Sequence, residues 1–90
     1  MTYEEIKNRV TDVCGIEVGL NFTKKTNKRE YLYPRMIVAY HLRMQGWFYN
    51  DIAYMLNRDQ TTVVYYIKKY NDEYRHNYDF RNLADKILKE

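Results

Sequence analysis

Ninety residues, 46% hydrophobic and 30% charged, suffice for one domain with a single core and are too rich in apolar residues for a disordered chain. One cysteine, Cys14, excludes an internal disulfide and a cysteine-based zinc site; it is expected as a small buried thiol in a reducing cytoplasm. No apolar run approaches the roughly 18 residues of a membrane span, and no signal peptide opens the chain, so a soluble cytoplasmic protein is expected.

Three glycines and one proline make tight turns scarce and long helices the expectation. Thr2 before Glu4 and Glu5 is a cap for a first helix with Ile6, Val10 and Val13 on one stripe, and Gly15 ends it. Residues 16–21 read as a turn or a single helical turn, and the basic stretch "TKKTNKRE" follows as a loop. Pro34 is placed in the first turn of the next helix, with Ile37, Tyr40, His41 and Met44 on one face and Gly46 as its stop. A short helix over residues 50–56 buries Ile52, Met55 and Leu56. Trp47 and Phe48, between these two helices, close the core. The stretch "LNRDQTTVVYYIKKY" then opens a longer helix, running to Arg75, and a last one near Phe80 to Leu88 packs Phe80, Leu83, Ile87 and Leu88. "VVYY" has strand propensity, but it lies inside a longer helical period. The fold class is all-α, and residues 1–90 form one domain.

Net charge is +3, and its distribution says more than its size. Residues 21–45 carry Lys24, Lys25, Lys28, Arg29, Arg35 and Arg43 against Glu30 alone, a local +5, whereas the first twenty residues sum to −2. A basic segment in an otherwise balanced chain points to a polyanion or to a solvated lysine-rich loop.

The long helix raises the sharper question. Asp59 is a good N-cap, with Thr61 and Thr62 in the first turn. At 100° per residue, Val63, Tyr66, Ile67, Tyr70 and Tyr74 form the core stripe. Thr61, Tyr65 and Lys68 fall opposite, Lys69 at the margin and Gln60 at the exposed end. The preceding helix is short and separated by little more than "NR", the shape of a helix-turn-helix. In that motif the first turn of the second helix touches base edges while flanking basic residues hold phosphates. Gln can pair with adenine, Asp can accept from cytosine, and the threonine methyl can meet the thymine methyl. An ordinary capped helix is the alternative.

"YPRMIVAYHLR", "NDIAYMLNRDQTTVVYYIKKY" and "DFRNLADKIL", in that order, resemble the C-terminal DNA-binding domain (domain IV) of the bacterial chromosomal replication initiator DnaA, over nearly the whole chain. The resemblance implies a Trp-repressor-like helical domain that binds double-stranded DNA. It implies base reading by Asp59, Gln60, Thr61 and Thr62. Backbone or minor-groove contacts would come from the basic loop (Lys24, Lys25, Lys28, Arg29), from Arg35 after the proline, and from Tyr49, Asn50, Arg58, Tyr65, Lys68 and Lys69. Three positions depart from the pattern: Gln60 stands where the family has histidine, which predicts a different base at that position with adenine favoured; Asn57-Arg58 lacks the turn glycine; and Tyr33 precedes the proline where some members have arginine. Asn tolerates the left-handed conformation a glycine would take there.

No G-x-x-x-x-G-K-[ST] segment occurs, so no ATPase module is present in these residues. Serine is absent and Cys14 lacks an evident base, so no enzymatic activity is expected. His41 and His76 lack a second ligand at helical spacing, so neither a metal nor another cofactor is expected. Tyr40, Tyr66, Tyr70 and Tyr74 read as core with a polar tip, and Tyr31, Tyr33, Tyr49 and Tyr65 as candidates for phosphate or base contact. The expected role is a stand-alone box reader, bacterial or phage and nucleoid-associated, in replication or transcription control; the rival is a helical protein-interaction module.

Overall fold

The computed structural model of the chain describes residues 2–15 and 29–89. They form five helices and no strand: α1 (Tyr3–Cys14), α2 (Arg29–Met44), α3 (Tyr49–Leu56), α4 (Gln60–His76) and α5 (Tyr78–Leu88). The all-α expectation holds. The turn assigned to residues 16–21 and the lysines of the basic loop lie outside the described residues.

α1 starts where the sequence says it should. The Thr2 hydroxyl accepts from the Glu5 amide at 3.2 Å while the Glu5 carboxylate accepts from the Thr2 amide at 3.2 Å, a reciprocal capping box. Gly15 ends the helix at φ 69°, in the left-handed region where a side chain would be strained. Ile6 and Val10 are buried, but Val13, the penultimate residue of α1, is 38% exposed and leaves the expected stripe.

α2 is the hub. It packs against all four other helices, most extensively against α4, and residues 34–39 are buried without a break. A helix apolar all round has to be enclosed, and Met36, Ile37, Val38, Ala39 and Leu42 leave no polar face at its centre. Pro34 does not open this helix. It is the sixth residue, so Arg29 and Glu30 are helical and not part of a loop. A proline there forfeits the hydrogen bond its amide would give the Glu30 carbonyl, a loss near the helix end that burial on every side offsets. Gly46 (φ 94°) stops α2, and Met44 (61% exposed) lies outside the core.

The α3–α4 connection is a helix-turn-helix joined by Asn57, Arg58 and Asp59. Asn57 sits at φ 53°, ψ 48°. Its amide donates to Tyr54 O at 3.2 Å and the Arg58 amide to Ala53 O at 2.9 Å, a Schellman closure with Asn in the place usually held by glycine. α3 buries Ile52, Ala53 and Leu56, with Met55 only partly covered. On α4, Val63, Tyr66 and Tyr70 are buried and Ile67 and Tyr74 partly so; on α5, Phe80, Ala84 and Ile87 are buried while Leu83 and Leu88 lie at the core margin. Trp47 is half-covered against Tyr3, ring centroids 6.1 Å apart, whereas Phe48 is 70% exposed and closes nothing.

Candidate nucleic-acid interface

The first turn of α4 is held by its own cap. The Asp59 carboxylate accepts from the Thr62 amide at 2.7 Å, and hydrogen bonds from Thr62 hold the Asp59 carboxyl below its ordinary pKa. This resolves why an acid stands at the start of such a helix: Asp59 satisfies backbone donors that would otherwise lack partners. Thr62 is half-buried in the same arrangement, so of the four expected base readers Gln60 and Thr61 are the freely presented pair.

From Thr61 an exposed strip continues at helical spacing through Tyr65 (51% exposed) and Lys68 to Asp72 and Arg75. A shallow depression runs along it, bordered by Thr61, Tyr65, Lys68 and Arg75. Arg75, Asn71 and Asp72 were not among the expected site residues. The signal for them was the continuation of the same outward face two turns beyond Lys68. Lys69 pairs with Glu73 at 3.3 Å; the pairing raises the lysine's pKa, and Glu73, bonded by Asn77 and Lys69, is lowered.

Several expected contact residues lie elsewhere. Arg35 has no exposed surface; burial, with the Arg58 guanidinium nearby, lowers its pKa. Expected on a phosphate, it is enclosed within the domain instead. Tyr33 is also turned inward: its ring meets Phe80 edge-on at 5.0 Å and its hydroxyl accepts from Asn77 at 3.1 Å, at the end of α4 remote from the cap. Tyr49 is half-buried, with the Arg43 guanidinium 4.5 Å above its ring, while Asn50 is exposed at the start of α3. Tyr31 is half-covered. Lys24, Lys25 and Lys28, and the side chain of Arg29, lie outside the described residues.

The arginines show why net charge misleads. Arg9 donates to the carbonyls of Lys86, Ile87 and Lys89 at the end of α5. Arg43 donates to Trp47 O at 2.9 Å, Arg58 to Asn57 O at 2.9 Å, and Arg81 to Tyr74 O and Arg75 O at 2.8 and 3.0 Å. Each satisfies carbonyls left open at or just beyond a helix end, so much of the positive charge is engaged within the fold. Of the remaining groups, Cys14 is half-buried with its thiol pKa raised by desolvation, and no cluster of potential metal ligands occurs among the described residues. No helix of the described residues is long and apolar enough to cross a membrane.

No curated protein and no solved structure matches the chain. Residues 35–79, which run from the buried part of α2 through the helix-turn-helix to the start of α5, match the family described as "Putative ATPase subunit of terminase (gpP-like)". That match spans half of the ninety residues and includes both α3 and α4, and the chain belongs to this terminase family.

Proposed function

We propose that this domain binds double-stranded DNA with sequence preference, inserting the first turn of α4 into the major groove. The observation that carries the reading is the outward presentation of Gln60 and Thr61, on a turn fixed by the Asp59 cap and the left-handed Asn57. A reading element needs defined placement more than charge, and this turn is capped by Asp59 and closed on its α3 side by the left-handed Asn57. Lys68 and Arg75 continue the same face and serve phosphates. Membership of a terminase family supports a DNA-handling role. The likeness to the initiator's C-terminal domain supports the same mode of docking and a box-like site.

The ninety residues contain no G-x-x-x-x-G-K-[ST] segment, so the nucleotide hydrolysis in the family's description is not assigned to them; their part is binding. The test is fluorescence anisotropy with random duplex, followed by selection of bound sequences from a random library. A preferred site and a slope of log K against log[salt] of about −4 to −5, for about 4 to 6 phosphate contacts, are expected. No binding to any duplex at low salt would defeat the reading. One observation favours a second role as a protein-interaction module: Phe48 (70% exposed) and Tyr54 (85% exposed) flank a shallow, mostly apolar depression formed by α3 and the turn before it, with no residue in common with the α4 strip.

A further inference from the structure

Two exposed aspartates belong to α4, and they are employed differently. Asp59 is committed to the helix: its carboxylate accepts from the Thr62 amide at 2.7 Å. Asp72 has no hydrogen-bond or ion-pair partner for its side chain among the described residues. Lys69 feels its charge, but Glu73, at 3.3 Å, is the group that chiefly holds that lysine. At 100° per residue, Thr61, Tyr65, Lys68, Asp72 and Arg75 fall within an arc of about 80°, opposite the buried Val63, Tyr66 and Tyr70. Asp72 is therefore the free acid on the presented face.

An acid there is unfavourable on DNA in general. Lys68, four residues before it, and Arg75, three after it, are exposed and have side chains without a partner among the described residues. Those two cations are placed to neutralise phosphates, and a carboxylate between them weakens contact with any duplex, whatever its sequence. It gains only where a base donates to it, and the major-groove donor matched to a carboxylate is the N4 amine of cytosine. The pose follows from length. α4 rises about 16 Å from Thr61 to Asp72 and about 21 Å to Arg75, whereas the major groove is about 8.5 Å deep. End-on insertion would leave both residues outside it. The shallow depression bordered by Thr61, Tyr65, Lys68, Asp72 and Arg75 instead runs the length of the strip, which suits a helix laid along the groove.

We propose that Asp72 is a specificity-determining residue: with α4 laid along the major groove, its carboxylate accepts from a cytosine N4 amine and disfavours other sequences. The inference rests on the DNA reading above and adds a second reading position to it, at the far end of the strip from Gln60 and Thr61. Asp59 suits a cytosine by type, but its carboxylate is engaged by the cap, and Asp72 is the acid free to make that contact.

The experiment selects bound sequences from a random duplex library with the wild type and with Asp72→Asn, then measures both on the selected site and on random duplex. Asp12→Asn is the control, since it removes the same charge from an exposed position on α1, which does not touch α4. Asp72→Asn is expected to bind random duplex more tightly than the wild type. Its ratio of selected-site to random affinity is expected to fall about fivefold or more, the scale of one base-pair preference. One cytosine should give way in its selected site, to adenine where the asparagine pairs with N6 and N7. Asp12→Asn should keep both the ratio and the site. Equal gains for Asp72→Asn on both duplexes, with the same selected site, would overturn the proposal, because the charge would then act without reading a base. Arg75→Ala tests the pose: the salt slope should fall by close to one contact, and an unchanged slope would overturn it by leaving the far end of α4 off the DNA. A wild type that binds no duplex would defeat the DNA reading and this inference with it. A wild type with a preferred site that Asp72→Asn shares in full would defeat the inference alone.

Discussion

The two ends of α4 are built on opposite plans. At its C-terminal end, Tyr70 stacks on Tyr40 with centroids 3.8 Å apart and meets Phe80 at 5.4 Å. The Tyr74 hydroxyl donates to Asp85 at 2.8 Å and accepts from Lys89 at 3.2 Å. Asn77 caps α5 through Phe80 N at 3.1 Å and also donates to Tyr33 and Glu73. At the N-terminal end, a single cap holds the turn and the outward side chains stay in solvent. One end anchors the helix and the other presents it. An outward side chain near the start of α4 is therefore worth more as a contact than Tyr70, Tyr74 and Asn77 at its end, which are engaged inside the molecule.

The heaviest blow to this division is at the anchor. Phe80→Ala should destabilise the domain by about 3–5 kcal/mol, as for other large core truncations, because Phe80 is fully buried between the rings of Tyr33 and Tyr70. Urea unfolding measures it. A loss below about 1 kcal/mol, within the ordinary range of point substitutions, would mean that α4 is anchored elsewhere.

At the presenting end the expectation reverses. Thr61→Ala should leave stability within the roughly 0.5 kcal/mol typical of surface sites yet weaken binding to a selected duplex by about 1–3 kcal/mol. Melting and anisotropy on the same samples separate the two. A variant that melts early while binding normally would make Thr61 structural.

This end was also the more legible in sequence. A capping aspartate, an asparagine able to turn left-handed and a helical period agree on where α4 begins, because each acts locally. Errors arose where the deciding force is tertiary. Pro34 reads as a helix start from local preference, but α2 begins five residues earlier, since enclosure by four helices outweighs one lost hydrogen bond. Arg35 reads as a DNA contact by its place after the proline, and only packing reveals that its side chain is enclosed. Phe48 and Val13 read as core by type, although their positions leave them outside it. Counting cations could not show that Arg9, Arg43, Arg58 and Arg81 bond to carbonyls.

A milder test uses pH. Hydrogen bonds from Thr62 lower the folded-state pKa of Asp59 below the ordinary value of 3.8, so its stabilising effect is complete above the unfolded-state pKa and is lost as pH falls through the folded one. Glu5, Glu73 and Asp85 are lowered as well, so the wild-type acid transition alone cannot isolate the cap. Asp59→Asn keeps a capping oxygen and removes the titration. Its melting temperature should therefore fall less steeply than that of the wild type below about pH 4, the ordinary carboxylate range. Parallel curves would show that the cap does not depend on the charge of Asp59.

The smallest effect separates two neighbouring lysines. Lys68 is exposed on the presented strip, whereas Lys69 is held by Glu73 at 3.3 Å. A lysine that neutralises a phosphate releases a counterion, and each such contact adds about 0.9 to the salt slope. Lys69 already has a carboxylate beside it, so replacing a phosphate's counterion would require breaking or sharing that pair. Lys68→Ala should therefore lower the slope by close to one contact, and Lys69→Ala by clearly less. Glu73→Gln sharpens the comparison, because the amide oxygen can still accept from Asn77 while the negative charge beside Lys69 is gone. That variant should bind random duplex more tightly and with a steeper slope than the wild type. Equal losses for the two lysines, with no gain in Glu73→Gln, would mean that the ion pair opens freely on DNA and that both lysines meet phosphates.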